Sequence, residues 1–288
     1  MTRLGVIGHR GYAHLTEVLR RLEQVAPGLD LQLAFEPELH ELAGGAVLTS
    51  PDEIDALLTL GGDGTLLRGA RFLQGYALPI LGVNLGRLGF LTTCSAGEME
   101  MALDAFSRGE FRAEARMTLD ARVLDVGGNE RRQWQALNDV VLHKGGFARV
   151  VRLRITVNAE TVAAYAADGI VVSTPTGSTA YSLSTGGPVV VPTVESILLT
   201  PVSPHMLAIR PLLLAPSAEV RVRAEDGPEE LLVTVDGQVG TTFAAGEELR
   251  VCRSSHPVLI VRFADDSFFW RMRRKLGWGG PVAQDDES

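Results

Sequence analysis

The hydrophobic periodicity of this chain changes once, near residue 115, and that change limits the fold more than any other feature. Before it, short apolar runs end in glycine and give way to segments of helical spacing. "LGVIG" (4–8) reads as a buried strand. The next segment places Leu15, Val18, Leu19, Leu22 and Val25 on one helical face, with Arg20, Arg21, Glu23 and Gln24 on the other. Pro27 and Gly28 are expected to stop it. "LQLAF" (31–35), "DEIDALLTL" (52–60) and "LPILGVNLG" (78–86) read as further strands. "TLLRGARFL" (65–73) and "AGEMEMALDAFSRGEF" (96–111) read as helices. Strands alternating with helices predict an α/β N-terminal domain with a mostly parallel, Rossmann-like sheet.

Beyond residue 115, "MTLDARVLD", "RRQWQALNDVVLH", "RVVRLRITVN", "TVAAYAADGIVVST", "AEVRVRAED", "ELLVTVDGQ" and "ELRVCRS" are strand-rich and separated by Gly or Asn. They predict a β-rich C-terminal domain. "PVLIVRFADDSFFWRMRRKLGW" (257–278) then gives a strand and a basic, aromatic helix, expected to pack back on the first domain. The expected organisation is 1–115 as the α/β domain, completed by about 256–280, with 116–255 as the β-rich domain. Residues 281–288 are expected to be a disordered tail, since Gly, Pro and acids leave little to bury.

A chain of 288 residues with 45% hydrophobic and 22% charged residues can bury a large core, and its length suggests two domains. The net charge of −8 argues against a nucleic-acid binder, which usually shows a basic face. Two cysteines make no disulfide framework and read as reduced thiols. The N-terminal "MTRLGVIGHRGYAHL" has no secretory pattern, and no apolar run reaches the ~18 residues of a membrane span. A cytoplasmic protein with no membrane contact is expected.

The chemistry concentrates in "LLTLGGDGTLLRGAR" (57–71), where a carboxylate, Asp63, stands among glycines between a strand and a helix. Gly61, Gly62 and Gly64 let a ligand approach the backbone closely. A strand-to-helix turn at the carboxyl edge of a parallel sheet is a ligand site in α/β proteins. Amides there would cradle phosphates, with Thr65 beside them, yet an acid competes with phosphate for those amides. One reading is a tight turn in which Asp63 caps the next helix. The other gives the acid a separate task, accepting the proton of a hydroxyl that attacks phosphorus. "GVIGHRG" (5–11) is not the G-x-G-x-x-G fingerprint and reads as a plain strand-to-helix turn that helps bound the donor side. His9 and His14 are five apart, which misses the helical spacing of a zinc pair, so no fixed metal ligands are expected.

Together with "GVNLGRLGFLT" (82–92), "LNDVVLHKG" (137–145), "DGIVVSTPTGSTAYSLSTGGPVV" (168–190) and the weaker "SPHMLAIRPLLL" (203–214), the "GGDGTLL" block (61–67) resembles the NAD kinase family in order and spacing. The GGDGT loop alone is shared with lipid kinases of the diacylglycerol and sphingosine type. The resemblance covers roughly residues 4–275. It implies phosphorylation of NAD on the adenosine ribose 2'-hydroxyl, with ATP and a divalent metal ion, Mg²⁺, and a homodimer or homotetramer.

By resemblance, Asp63 is the general base, Gly64 lies against the ligand, and Gly61, Gly62, Gly64 and Thr65 meet ATP phosphates. Arg68, one turn on, reads equally as a phosphate contact or a solvated helix arginine. Asn138 and Asp139 match the family's Asn-acid pair. An Asn can exchange two hydrogen bonds with an adenine edge, and an acid can accept from ribose hydroxyls. The resemblance also implies NAD contacts from Arg149, Asp168, Thr176, Gln238 and the run Thr179, Ala180, Tyr181, Ser182, Leu183 and Ser184. Some bacterial members carry an arginine where this chain has Ala166. A cation there would bear on a positively charged nicotinamide ring, so the departure leaves NAD and NADH both open as acceptors. "GVNLGRLGFL" (82–91), with Asn84 and Arg87, reads either as a loop flanking the nucleotide or as a connection whose glycines serve packing.

Overall fold

The computed structural model describes residues 1–145, 151–206, 208–226, 231–264 and 266–278. It divides into two compact units: Met1–Ala115 with the chain from Val258 onward, and Arg116–Pro257. The first contains β1 (Thr2–Gly8), α1 (Leu15–Val25), β2 (Leu31–Phe35), α2 (Pro37–Ala43), β3 (Ala46–Val47), β4 (Ala56–Leu60), α3 (Asp63–Phe72), β5 (Pro79–Asn84), β6 (Cys94–Ser95), α4 (Met99–Ser107) and β7 (Arg112–Arg116). The second contains β8 (Leu119–Leu124), β9 (Glu130–Ala136), β10 (Asp139–Lys144), β11 (Val151–Val157), β12 (Glu160–Ala167), β13 (Gly169–Ser173), α5 (Tyr181–Ser184), β14 (Ile197–Val202), β15 (Leu212–Leu214), β16 (Val220–Asp226), β17 (Leu231–Val235), β18 (Val239–Phe243) and β19 (Glu248–Arg253). The chain returns to the first unit as β20 (Val258–Arg262) and α6 (Phe268–Leu276).

The first unit is an eight-stranded sheet in the order β3-β2-β1-β4-β5-β20-β7, with β6 on β5. Pairs β3–β2, β2–β1, β1–β4, β4–β5 and β5–β20 are parallel. Strands β4 and β5 are buried along nearly their whole length, as a parallel sheet covered on both faces requires. On α1, Leu15, Val18, Leu19 and Leu22 are buried in one cluster with Leu4, Val6 and Leu58 of the sheet. The order reverses at β1, with β2 on one side and β4 on the other. The GGDGT turn therefore leaves β4 at a topological switch point, where open sheets bind ligands.

Two elements of this unit escape the sequence pattern. Helix α2 has seven residues, starts at Pro37 and fully buries only Leu39, too little to show a period. Strand β3 has two residues. Pro27 and Gly28 end α1, but through a 3₁₀ turn, Ala26–Leu29, closed by Asp30 in the left-handed conformation at φ 58°.

The second unit packs two six-stranded sheets, β15-β14-β13-β10-β17-β18 and β12-β11-β16-β19-β8-β9. Neighbouring strands run antiparallel. Val140, Leu142, Ile170, Val172 and Val233 of one sheet share a buried cluster with Ala121, Leu153, Val222 and Leu249 of the other. "TVAAYAADGIVVST" is two strands, and the chain changes sheet at Asp168 between them. "RRQWQALNDVVLH" likewise changes sheet at Leu137–Asn138. Both corners fall on residues that the resemblance singles out.

Candidate functional site

Asp63 opens α3, and the preceding Gly62 is the cap residue with no side-chain cap bond. Asp63 does not cap its own helix. Its carboxylate reaches across to the "GRLGFLT" loop: Oδ2 accepts from the Phe90 amide at 2.8 Å, and Oδ1 accepts from Leu91 at 3.0 Å and Thr92 at 3.3 Å. Hydrogen bonds to a charged group contribute about 1.5–3 kcal/mol each, so three of them fix this anion firmly. The first turn of a helix also favours an acid. The loop of residues 82–92 thus serves the acid directly.

The glycines divide by task. Gly61 continues the sheet: its amide donates to Val83 at 2.9 Å and its carbonyl accepts from Leu85 at 3.3 Å. A methyl there would lie 2.2 Å from Thr65 Oγ1, and Thr65 is itself buried. Gly62 lies under Tyr12, whose hydroxyl would be 3.1 Å from an added methyl; one on Gly86 would lie 2.9 Å from the Tyr12 ring. Tyr12 therefore covers the turn, and sequence reading did not single it out. Asn84 holds the neighbouring bend through the Gly86 amide at 3.1 Å, while Arg87 is exposed.

Arg68 keeps about a third of its side-chain exposure, and its guanidinium is held by protein groups. Its guanidinium donates to both carboxylate oxygens of Glu36, at 2.5 and 2.9 Å, and to the Gly8 carbonyl at 2.5 Å. Glu36 is buried and also accepts from the Gly8 amide at 2.7 Å. The pair ties α3 to the end of β1, and nothing near Glu36 in the sequence announces it.

In the second unit, Asn138, Asp139, Val141, His143, Ala180, Tyr181, Thr234, Asp236 and Gly237 line a cleft of about 380 Å³. Asp139, Val141 and His143 alternate along β10, so one face of the strand forms the floor. Thr234 extends it as the partner of Val141 in β17. At the β9–β10 corner three successive amides, Leu137, Asn138 and Asp139, donate to the Asp236 carboxylate at 3.0, 2.7 and 3.1 Å. Asp236 thereby stabilises the corner that presents Asn138. Gly177 must be glycine, because a methyl there would lie 2.0 Å from the Asn138 carbonyl. Burial first, and the neighbouring Asp236 carboxylate second, push the Asp139 carboxyl up to about 7, against the Tyr181 amide that draws it down.

Asn138, Asp139, Ala180 and Tyr181 thus meet at one cleft. The other singled-out residues that the structure describes are not part of its lining. Thr176 is buried and accepts from Arg116 at 3.3 Å. Ser182 is buried against Thr200 Oγ1 at 3.0 Å, and Thr179 donates to the Thr176 carbonyl at 3.3 Å. Leu183 and Ser184 belong to the short α5. Gln238 closes the β17–β18 turn, one residue past Gly237 of the cleft. Asp168 pairs with Lys144 at 2.6 Å. Ala166 faces Arg152 across β11–β12, and Arg152 pairs with Glu225 at 3.1 Å. Arg149 and the tail at 281–288 lie outside the described residues. Sequence reading missed His143, Thr234, Asp236 and Gly89. The "VDGQ" turn and the third glycine of "GVNLGRLG" were the available signals.

Comparison with known proteins agrees across both units. Residues 41–111 match the ATP-NAD kinase N-terminal domain family, and 137–263 match the ATP-NAD kinase C-terminal domain family. The chain is 59% identical to an NAD kinase of Gemmatimonas aurantiaca over 287 residues, 99% of each chain. It is 36% identical to an NAD kinase of Syntrophotalea carbinolica, over 97% of this chain and 99% of the relative. Among solved structures it is similar to yeast NADH kinase complexed with NADH, at TM-score 0.88 and 25% identity, covering 99% of this chain and 90% of that one. It is also similar to an NAD kinase from Archaeoglobus fulgidus in complex with ATP, at TM-score 0.74 and 26% identity, covering 96% and 97%. With the acid-bearing turn, the Asn-Asp corner, both domain families and a full-length relative in agreement, the chain belongs to the NAD kinase family.

Proposed function

We propose that this chain transfers the γ-phosphoryl group of ATP to the 2'-hydroxyl of the adenosine ribose of NAD, giving NADP and ADP. The observation that carries the reading is Asp63, an anion fixed at the switch point by three backbone amides. In this reading the ribose hydroxyl gives its proton to Asp63 as its oxygen bonds to phosphorus and the bond to the departing ADP breaks. No covalent enzyme intermediate is needed, and positioning supplies most of the rate. The cleft of the second unit takes the acceptor's adenosine: Asn138 reads the adenine edge, and Asp139 the ribose hydroxyls.

A divalent ion such as Mg²⁺ accompanies ATP in this reading. Among the described residues no group of three His, Cys, Asp or Glu side chains could hold a metal. In this reading the ion is held chiefly by nucleotide phosphates, as Mg²⁺ usually is. Bound there, it would neutralise phosphate charge. Among the described residues no helix is long and apolar enough to cross a membrane. The family resemblance supports a cytoplasmic homodimer or homotetramer.

Ala166 supplies no side-chain cation to oppose a charged nicotinamide, so the position leaves both NAD and NADH open as acceptors. An assay of product formation with ATP or polyphosphate against NAD or NADH tests both readings. NADP from ATP and NAD is the expected outcome; no product from any pairing overturns the proposal. Asp63→Asn is expected to keep NAD binding and lose about 10²–10⁴-fold in rate.

A further inference from the structure

The basic terminal helix α6 has one side buried and one turned to Asp63. Arg271 is buried and donates to the carbonyls of Gly89 at 3.3 Å, Thr92, and Thr93 at 3.2 Å. Arg262, also buried, donates to the carbonyls of Thr92 at 3.2 Å and Phe90 at 3.3 Å. Asp266 sits between the two guanidiniums, accepting from Arg262 at 2.9 Å and Arg271 at 2.8 Å. This cluster grips the carbonyl side of the loop whose amides hold Asp63. One turn beyond Arg271, Lys275 carries its ammonium to 3.9 Å from Asp63 Oδ2 and 4.8 Å from the centre of the Phe90 ring. Its side chain keeps about a third of its exposure, so the ammonium is anchored yet reachable.

The two oxygens of Asp63 are unequal. Oδ1 accepts from two amides and Oδ2 from one, so Oδ2 is the oxygen with more room to accept from a ligand hydroxyl. Lys275 stands beside that oxygen. Arg68, the other cation one turn from Asp63, is committed to Glu36.

We propose that Lys275 is a further catalytic residue: its ammonium contacts the phosphoryl group as it passes to the hydroxyl that Asp63 Oδ2 deprotonates, with the Arg262–Asp266–Arg271 cluster holding α6 in place. The inference rests on the kinase reading above. The proton moves from the ribose hydroxyl to Oδ2, the new oxygen–phosphorus bond forms, and the electron pair of the broken bond leaves with ADP. As Oδ2 becomes neutral, the ammonium loses its anionic partner and pairs with the phosphoryl oxygens. A fixed cation at developing charge is an established route to rate.

Lys275→Met and Lys275→Arg test this in the full chain, by kcat, KM for NAD and for ATP, and melting temperature. The expected result is a loss of about 100-fold in kcat for Lys275→Met, with KM for NAD within about twofold and an unchanged melting temperature. Lys275→Arg is expected to recover at least about a tenth of the parent rate. A Met variant with kcat within about threefold of the parent overturns the proposal, as does a loss confined to KM for NAD. If the Met variant does not fold, Lys275→Ala assayed with added ethylammonium replaces it. Amine-dependent recovery supports the assignment, and no recovery at saturating amine overturns it. An active parent with an equally active Met variant removes only the lysine, whereas a parent that makes no NADP removes the kinase reading itself.

Discussion

Gly89 and Asp63 meet so closely that a methyl group on Gly89 would lie 1.9 Å from Asp63 Oδ1. The acid and the loop that holds it are mutually fitted, and the fit tolerates no side chain. Gly89→Ala must therefore push the carboxylate off its amides or push the loop away. We expect kcat to fall by about 100-fold, a cost in line with misplacing a reacting group by about 1 Å. Stability should fall by about 1–3 kcal/mol, the usual penalty of overpacking. Denaturant unfolding beside steady-state kinetics checks both. A Gly89→Ala variant of parental kcat would show that the Asp63–loop geometry is dispensable.

Gly177 makes the matching contact in the second unit, with an added methyl falling 2.0 Å from the Asn138 carbonyl. Backbone blocks the methyl here, so the corner presenting Asn138 must move. Gly177→Ala should raise KM for NAD at least about tenfold and change kcat less, since the loss falls on acceptor binding. A kcat-only effect would place Gly177 elsewhere in the mechanism.

Arg68 and Glu36 give a prediction about stability. Removing the guanidinium leaves a buried carboxylate without its main partner. Arg68→Met should cost about 1–3 kcal/mol, and Glu36→Gln in the same chain should recover part of it, because a neutral amide tolerates burial better. If Arg68→Met leaves stability intact but weakens ATP or NAD binding, the arginine serves the ligand instead.

Asp139 predicts a pH dependence whose sign follows from its raised value, about 7 against the ordinary 3.8. Between those values the folded chain holds a proton that the unfolded chain has lost. The stabilisation is complete below the unfolded value and is lost as pH rises toward about 7, at about 1.4 kcal/mol per pH unit at most. Melting temperature should thus decline from about pH 5 to 7, and Asp139→Asn should flatten that decline. A slope equally steep in the Asn variant would assign it to other groups.

Local spacing in the chain is enough to read the change from α/β to β architecture near residue 115, the buried strand runs, the acid among glycines after β4, and the adjacent Asn138–Asp139 pair. Each is written in neighbouring residues, whose spacing records which face of an element meets the core. What those residues touch depends on the fold. The amides of Phe90, Leu91 and Thr92 that hold Asp63, the Asp236 carboxylate beneath Asn138, the Glu36 partner of Arg68 and the Lys275 ammonium at Asp63 all come from distant parts of the chain. A backbone amide has no letter of its own in the sequence, and hydrophobic period does not encode which loop folds beside which. Strand order within each unit and, in the first, the packing of α6 set each of these contacts.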